Sequence, residues 1–218
     1  GQNINLVELS VSHYLLARGL ESVGLSEKDV KVVNTSDADL VAAFTTDGVT
    51  AVATWNPLVS EILAMPKATN VFDSSKIPGE IIDTLIVNTK TLEENPKLGK
   101  ALVGAWYEIM AEMEKSSAVR EQMGIASGTD LAGFEAQLAS TKMFYKPADA
   151  VKFVKSADLK ATMQYVAEFS FEHGLLGDGA PNAGVIGIET PAGIFGNKDN
   201  VKLRFDATYM EMAAEGKL

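Results

Sequence analysis

The chain has 218 residues, of which 46% are hydrophobic and 22% are charged. This composition is typical of a globular protein and is large enough for one large domain or two small ones. The formal net charge is −10, from 29 acidic and 19 basic residues, which argues against nucleic acid or anionic membrane surfaces as partners, because their phosphates would be repelled. There is no cysteine, so disulfides, thiolate chemistry and cysteine-based zinc sites are excluded.

No apolar run approaches the roughly 20 residues that are needed to span a bilayer. The first residues lead almost directly into a predicted strand, and no secretory signal precedes it. The sequence therefore leaves three alternatives open: a cytosolic protein, an exported protein whose leader has been removed, or a part of a longer protein.

The first 75 or so residues alternate between strand and helix patterns. Gly24 is the predicted C-cap of the first helix, and Asn56 and Pro57 are the predicted cap and first residue of the third. Connections of this kind are right-handed, so we expect a mostly parallel sheet. The apolar runs that predict its strands cover residues 4–9, 30–33, 49–53 and 71–72.

The second part of the chain has a different character. Residues 73–80 are polar and contain Pro and Gly, which predicts a linker. A strand pattern follows over residues 83–88, helical patterns extend from 95 to 173, a short strand is predicted at 185–188, and a helix over 203–214. So many helices with so few strands indicate that part of a sheet is missing from this half.

Each of the first three strands ends at small polar residues from which a helix pattern begins. In an open parallel sheet, the carboxyl ends of the strands meet at the edge where ligands bind. The first junction contains Ser10, Ser12 and His13, and a helix N-terminus adds unpaired backbone N–H groups that suit an anion or a carbonyl oxygen. The alternative is that a serine caps the helix and that His13 is a satisfied structural residue.

The third junction contains Trp55 and Asn56. A tryptophan at a strand end can form a flat wall over a ligand, and an asparagine offers both a donor and an acceptor. The alternative is that Trp55 only packs and Asn56 only caps. At the second junction, Asp37 and Asp39 can meet a cationic group of a ligand, although acids in the first turn of a helix are more often caps and solvated surface.

No catalytic set emerges from the sequence. The two histidines, His13 and His173, are combined with neither a cysteine nor a nucleophile elbow, and no cluster of His, Asp and Glu has metal-ligand spacing. A Gly-rich stretch over residues 174–181 lacks the spacing of a Walker or dinucleotide motif, so we interpret it as a loop that ends a helix. We therefore predict a protein that is not an enzyme and that uses no metal or cofactor.

Motifs along the whole chain are similar to those of one known family: residues 10–16 (SVSHYLL), 36–43 (SDADLVAA) and 49–57, which end in TWNP, and further stretches at 84–90, 95–113, 141–145, 169–176 and 200–206. They resemble the periplasmic solute-binding proteins of ABC importers. The resemblance is to the nitrate/sulfonate/taurine branch, which includes members for urea- or amide-like solutes.

The resemblance implies an α/β fold of the type II periplasmic-binding-protein kind, with a parallel-sheet lobe and a helix-rich return segment of an incomplete first lobe. Residues 1–76 would form the second lobe, residues 77–82 the hinge or linker, and residues 83–218 the return segment, which is mainly helical. Family members have most of a first lobe before the equivalent of Leu6, and that part is absent here. A missing N-terminal segment or a second copy would then complete the fold.

The resemblance also implies a function. Ser10, Ser12, His13, Trp55 and Asn56 would line an interlobe cleft from the second lobe and bind a small polar solute. The closed protein would deliver this solute to an ABC permease at the periplasmic or extracellular face. The solute stays open between an anion such as a sulfonate or nitrate and a planar amide or urea. The lack of arginine at the three junctions weakens the case for a strong anion.

A protein of another class on the same two-lobe scaffold is the alternative, because fold alone does not fix function. It would be an enzyme, a biosynthetic protein or a sensor. The absence of a nucleophile–base pair in the sequence favours binding over catalysis.

Overall fold

The computed structural model describes all residues from 1 to 218. The chain divides into two compact units, residues 1–81 with 168–183, and residues 82–167 with 184–218. No helix in the structure combines the length and the apolar character that crossing a membrane requires.

Six strands and ten α-helices make up the two units. The strands are β1 (Asn3–Leu6), β2 (Lys31–Asn34), β3 (Ala51–Val52), β4 (Gly187–Thr190), β5 (Gly193–Gly196) and β6 (Val201–Arg204). The helices are α1 (Val11–Glu21), α2 (Asp37–Phe44), α3 (Leu58–Leu63), α4 (Thr89–Glu94), α5 (Pro96–Lys115), α6 (Ser117–Ala126), α7 (Leu131–Ala139), α8 (Pro147–Val154), α9 (Ala157–Glu172) and α10 (Thr208–Ala214).

The first unit is built on a parallel sheet in which β1 lies between β2 and β3. In this register Asn5 lies opposite Val33 on one side and Val52 on the other. The pairing continues past the strands, because the N–H of Thr35 donates to the carbonyl of Leu6 at 2.8 Å. The three carboxyl ends therefore meet at one edge, as the sequence predicts.

The helices of this unit end and pack for reasons that are visible in the sequence. Gly24 has a φ of 74°, a conformation that glycine adopts without a steric cost. The N–H of Leu25 donates to the carbonyl of Leu20, and the N–H of Gly24 donates to that of Glu21, which together form a Schellman motif. Behind the sheet, Leu6 and Leu40 are completely buried.

A carboxylate fixes the end of the polar linker to α1. Glu80 accepts a hydrogen bond from the Tyr14 hydroxyl at 2.5 Å and two from the Arg18 guanidinium, at 2.8 and 3.0 Å. Both members of the ion pair are largely buried. A two-pronged Arg–carboxylate contact of this kind is stronger and more directional than an ordinary surface ion pair.

The last turn of α9 and the loop after it belong to the first unit. Phe169 packs edge-on against Tyr14, with ring centroids 5.3 Å apart, and stacks on His173 at 4.0 Å. Nδ1 of His173 lies 2.8 and 2.9 Å from the two carboxylate oxygens of Glu27. The helix ends in a second Schellman motif at Gly174, so the Gly-rich stretch is a loop that ends a helix, as predicted.

The second unit has its own core, formed where α8, α9 and α10 pack against the other sheet. Its buried members are Val154, Leu159, Met163, Ile188 and Ala207. In that sheet β4 lies between β5 and β6, antiparallel to β5 and parallel to β6. The sequence predicts only a short strand at 185–188 here, so most of this sheet was missed.

Three secondary-structure predictions are wrong. Residues 71–72 form no strand, because Val71 is 94% exposed and Phe72 packs on α1 at Gly19. Residues 83–88 form no strand, because no neighbouring strand pairs with them, and Ile86 is 75% exposed. The predicted helix over 203–214 is shortened, because its first residues belong to β6 and α10 begins at Thr208.

The two glycines in the interior of α5 provide a matched test of packing in the second unit. A Cβ at Gly99 would overlap the ring of Tyr209, whereas one at Gly104 would meet only Leu218, at 3.6 Å. We expect Gly99→Ala to lower the free energy of unfolding by about 1–3 kcal/mol through overpacking. Gly104→Ala should raise it by up to about 1 kcal/mol through helix propensity. Guanidinium denaturation checks both, and equal effects would contradict this packing.

Candidate functional site

The turn between β1 and α1 is held by Ser10, the N-cap of α1. Its hydroxyl accepts a hydrogen bond from the N–H of Ser12 at 3.1 Å and donates one to the carbonyl of Val7 at 2.6 Å. The proton and one lone pair are therefore used within the turn. Ser10 shapes this junction and keeps one lone pair for a ligand.

His13 is buried in the first turn of α1, with 8% of its surface exposed. Its Nδ1 accepts a hydrogen bond from the N–H of Leu9 at 3.1 Å. Leu9 adopts the left-handed region, with a φ of 58°, which costs a non-glycine residue about 1–2 kcal/mol. Because Nδ1 is an acceptor, the proton of the neutral ring lies on Nε2, which makes His13 a donor to any ligand at this position.

The charge state of His13 follows from its surroundings. Burial lowers the pKa of the imidazole below its usual value, and the carboxylates of Glu27 and Glu8 oppose this effect. A proton on Nδ1 would also face the Leu9 N–H, which is already a donor. Both effects favour the neutral ring. Ser12, the residue before His13, is almost fully buried.

Trp55 and Asn56 lie at the junction after β3. Trp55 is 38% exposed, so part of the indole faces outward from the unit. Asn56 was predicted to cap α3 with Pro57 as the first helical residue, and this is wrong: Pro57 is itself the N-cap, and α3 begins at Leu58. The Asn56 side-chain oxygen instead accepts a hydrogen bond from the Ser60 hydroxyl at 2.9 Å. The peptide bond between Asn56 and Pro57 is cis.

The structure brings the predicted residues to one edge in two groups. Ser10, Ser12 and His13 share one helical turn after β1, and Trp55 and Asn56 follow β3. The two strands are hydrogen-bonded neighbours, so both groups lie at the same carboxyl edge of the parallel sheet. The side chains at this edge carry an imidazole, an indole, two hydroxyls and an amide. Ser12 and His13 are buried, whereas Trp55 and Asn56 are exposed.

Three further polar side chains lie in this unit with buried atoms that have no hydrogen-bond partner: Oδ1 of Asn5, Oδ1 of Asp37 and Oγ1 of Thr54. Sequence reasoning considered Asp37 only as a cap or a cation contact, and it missed the other two. A signal was present, because Asn5 is an amide between the apolar residues Ile4 and Leu6 of β1. Its side chain is 7% exposed.

Other candidates are not part of this edge. His173 is engaged with Glu27 and Phe169. No group of three or more His, Asp or Glu side chains is arranged to hold a metal ion. A wide, open depression of about 350 Å³ lies on the second unit beside Arg120, but that guanidinium is already bonded to Glu135 and to the carbonyl of Met113.

The lowered pKa of His13 predicts a loss of stability in mild acid. Below about pH 6.5 the unfolded chain binds a proton at this position before the folded chain does. The free energy of unfolding therefore decreases as the pH is lowered, until the pH passes the pKa that His13 has in the folded state. The slope is at most about 1.4 kcal/mol per pH unit for one proton. His13→Asn, whose oxygen can still accept from Leu9, should lose this component, whereas His173→Gln should keep it. Chemical denaturation between pH 7.5 and 5 measures the slopes, and equal slopes for His13→Asn and the wild type would contradict the assignment.

The sequence matches the NMT1-like family over residues 3–127, which is more than half of the chain. No curated protein matches it in a sequence search. The alkanesulfonate-binding protein SsuA from Xanthomonas axonopodis pv. citri, solved with bound MOPS, is similar with a TM-score of 0.63 and 22% identity, over 82% of this chain and 60% of that one.

The periplasmic aliphatic sulphonate binding protein SsuA from Escherichia coli is similar with a TM-score of 0.60 and 22% identity, over 80% of this chain and 55% of that one. This chain therefore spans less than two thirds of either protein. At this identity the similarity concerns the fold, and it confirms the α/β fold of the periplasmic-binding-protein kind that the sequence predicts. Both matched structures are binding proteins rather than enzymes. With the match over residues 3–127, this chain belongs to the NMT1-like family.

Proposed function

We propose that this chain is the solute-binding component of an ABC-type importer and that it binds a small polar solute at the carboxyl edge of the first sheet. The observation that carries the proposal is the convergence of the β1–α1 and β3–α3 junctions on that edge. The likeness in fold to two sulfonate-binding proteins supports it.

Each residue of the edge has a defined role in this proposal. The neutral His13 ring donates from Nε2, because Nδ1 is held by the Leu9 N–H. The exposed part of Trp55 forms an apolar wall that excludes water from one side of the solute. Ser10 and Ser12 supply hydroxyl groups from the start of α1, and the Asn56 amide adds a donor beside Trp55.

Delivery of the solute requires a conformational change. In this proposal residues 1–76 form a lobe and residues 77–82 a hinge, and the solute shifts the population toward a closed state because it binds that state better. The closed protein then docks on an ABC permease at the periplasmic or extracellular face. Glu80, within the proposed hinge, is bonded to Arg18 and Tyr14 of α1, which would make one end of the hinge rigid.

A missing N-terminal segment of the same polypeptide completes the second unit in this proposal. No backbone N–H of residues 81–88 donates to a backbone carbonyl, and Leu85 and Ile86 are exposed. Trp106 and Ile109 on α5 are exposed as well. Unpaired, apolar edges of this kind are normally covered, and the matched structures extend well beyond the part that this chain spans. A dimer in light scattering would indicate a second copy instead.

A solute panel tests the function. We expect at least one of urea, acetamide, taurine, methanesulfonate and nitrate to raise the melting temperature of the chain, since a ligand that binds the folded state stabilises it by mass action. Trp55→Ala should weaken binding of that compound by about tenfold or more in calorimetry, the usual scale for a buried aromatic contact.

The matched control is Trp106→Ala, which removes the other tryptophan of the chain, on α5. It should leave the affinity unchanged. The proposal would be contradicted if no compound stabilised the protein, or if Trp55→Ala bound its compound as tightly as the wild type.

A further inference from the structure

The first unit contains three polar atoms that are closed to solvent and have no hydrogen-bond partner: Oδ1 of Asn5, Oδ1 of Asp37 and Oγ1 of Thr54. Folded proteins pair nearly all of their buried polar atoms, so each exception needs an explanation. All three exceptions lie in the first unit, on or shortly after β1, β2 and β3.

The register of the sheet brings these residues together. Asn5 of β1 lies opposite Val33 of β2 and Val52 of β3. Thr35 follows β2 two positions after Val33, and its hydroxyl lies 2.9 Å from the Asn5 amide nitrogen. Thr54 follows β3 two positions after Val52, where the pairing continues because the Ala53 N–H donates to the Asn5 carbonyl.

Asp37 reaches the same edge from the second junction. It is the first residue of α2, two positions after Thr35, and α2 packs against both β1 and β3. Asp39 in the same turn is occupied, because its carboxylate accepts a hydrogen bond from the Ser36 hydroxyl at 2.6 Å. The Asp37 oxygen has no such partner.

The hydrogen bonds around Asn5 determine which of its side-chain atoms lacks a partner. The Thr35 hydroxyl donates its only proton to the carbonyl of Val33 at 3.1 Å. It must therefore accept from the amide nitrogen of Asn5, which lies 2.9 Å away. The atom of Asn5 that lacks a hydrogen-bond partner is consequently its oxygen.

The three unpaired atoms are mainly hydrogen-bond acceptors. An amide oxygen and a carboxylate oxygen only accept hydrogen bonds, and a threonine hydroxyl both accepts and donates. Such a set matches a group that carries N–H donors. It does not match a sulfonate or nitrate, which offers acceptors only and would be repelled by the carboxylate of Asp37.

We propose that Asn5, Asp37 and Thr54 form a subsite that binds the N–H groups of the solute, so that this chain takes a neutral amide or a urea rather than an anion. The inference rests on the proposed function, because it places the subsite at the same edge as His13 and Trp55. A buried water bonded to the three atoms is the competing occupant.

Calorimetric titrations with urea, acetamide and methanesulfonate test the subsite in the full chain. We expect urea or acetamide to bind more tightly than methanesulfonate. Thr54→Val, which keeps the shape and removes the hydroxyl, and Asp37→Asn, which removes the charge, should each weaken the amide or urea by about tenfold, the loss of one hydrogen bond to a desolvated partner. Asp37→Asn should also strengthen the binding of methanesulfonate, because the repulsion is gone.

The controls are Asp39→Asn, in the same helical turn, and Thr50→Val, an exposed threonine before β3. Both should keep the wild-type affinities. If Thr54→Val and Asp37→Asn both kept the wild-type affinity for urea and acetamide, the proposed subsite would be wrong, and a buried water would be the occupant instead. If the wild-type chain bound methanesulfonate more tightly than urea or acetamide, and Trp55→Ala weakened that binding, the subsite would be wrong but the solute-binding function would stand. Failure of every compound to bind would overturn both.

Discussion

The parallel pairing of β1 with both of its neighbours is the constraint on which the proposed site depends. The strand is only four residues long, yet its register determines which face Asn5 occupies and at which edge the three helices begin. A shift of one residue would turn every side chain of β1 to the opposite face. The pairing also sets the start of α1, where the strained Leu9 directs its N–H to His13. The hydrogen-bonding role of that histidine is thus a consequence of how the sheet ends.

Sequence reasoning succeeded where the signal is local. The three strand-to-helix junctions and the glycine at the end of α1 can be recognised from short stretches of sequence. It failed where a residue's state depends on a distant partner. Residues 83–88 have the composition of a strand, but a strand requires a neighbour to accept and donate its backbone hydrogen bonds. Asn56 has the residue type of a cap, but its oxygen is taken by the Ser60 hydroxyl.

The same distinction applies to the candidate site. Ser10, Ser12, His13, Trp55 and Asn56 could be selected because they follow strands in the sequence, and selecting Asn5 and Thr54 requires the register. An unpartnered oxygen is a property of the folded structure, since it depends on what the neighbouring Thr35 hydroxyl does with its proton. The available signal was an asparagine between two apolar residues of β1. Such a buried amide is usually fully hydrogen-bonded, but here only its nitrogen has a partner.

A shared fold does not by itself establish that two proteins bind the same solute. The two solved structures that match are sulfonate-binding proteins, and at 22% identity the likeness concerns the fold. In the first unit one carboxylate oxygen of Asp37 and the amide oxygen of Asn5 are buried without a hydrogen-bond partner. No arginine or lysine lies between Leu6 and Val11, between Asn34 and Leu40, or between Val52 and Leu58. Specificity is a difference in binding free energy between solutes, and in the proposed subsite these groups would disfavour an anion and favour an N–H donor.

The central claim is that the carboxyl edge of the first sheet is where this chain binds its solute. The most direct test is a titration of the ¹⁵N-labelled protein with acetamide and with urea, followed through backbone amide and indole resonances. We expect the amide resonances of Ser12 and His13 and the indole N–H resonance of Trp55 to shift together along one binding curve, while the indole resonance of Trp106 stays in place. Shifts confined to the second unit, or saturable binding that leaves Trp55 and His13 unchanged, would contradict it.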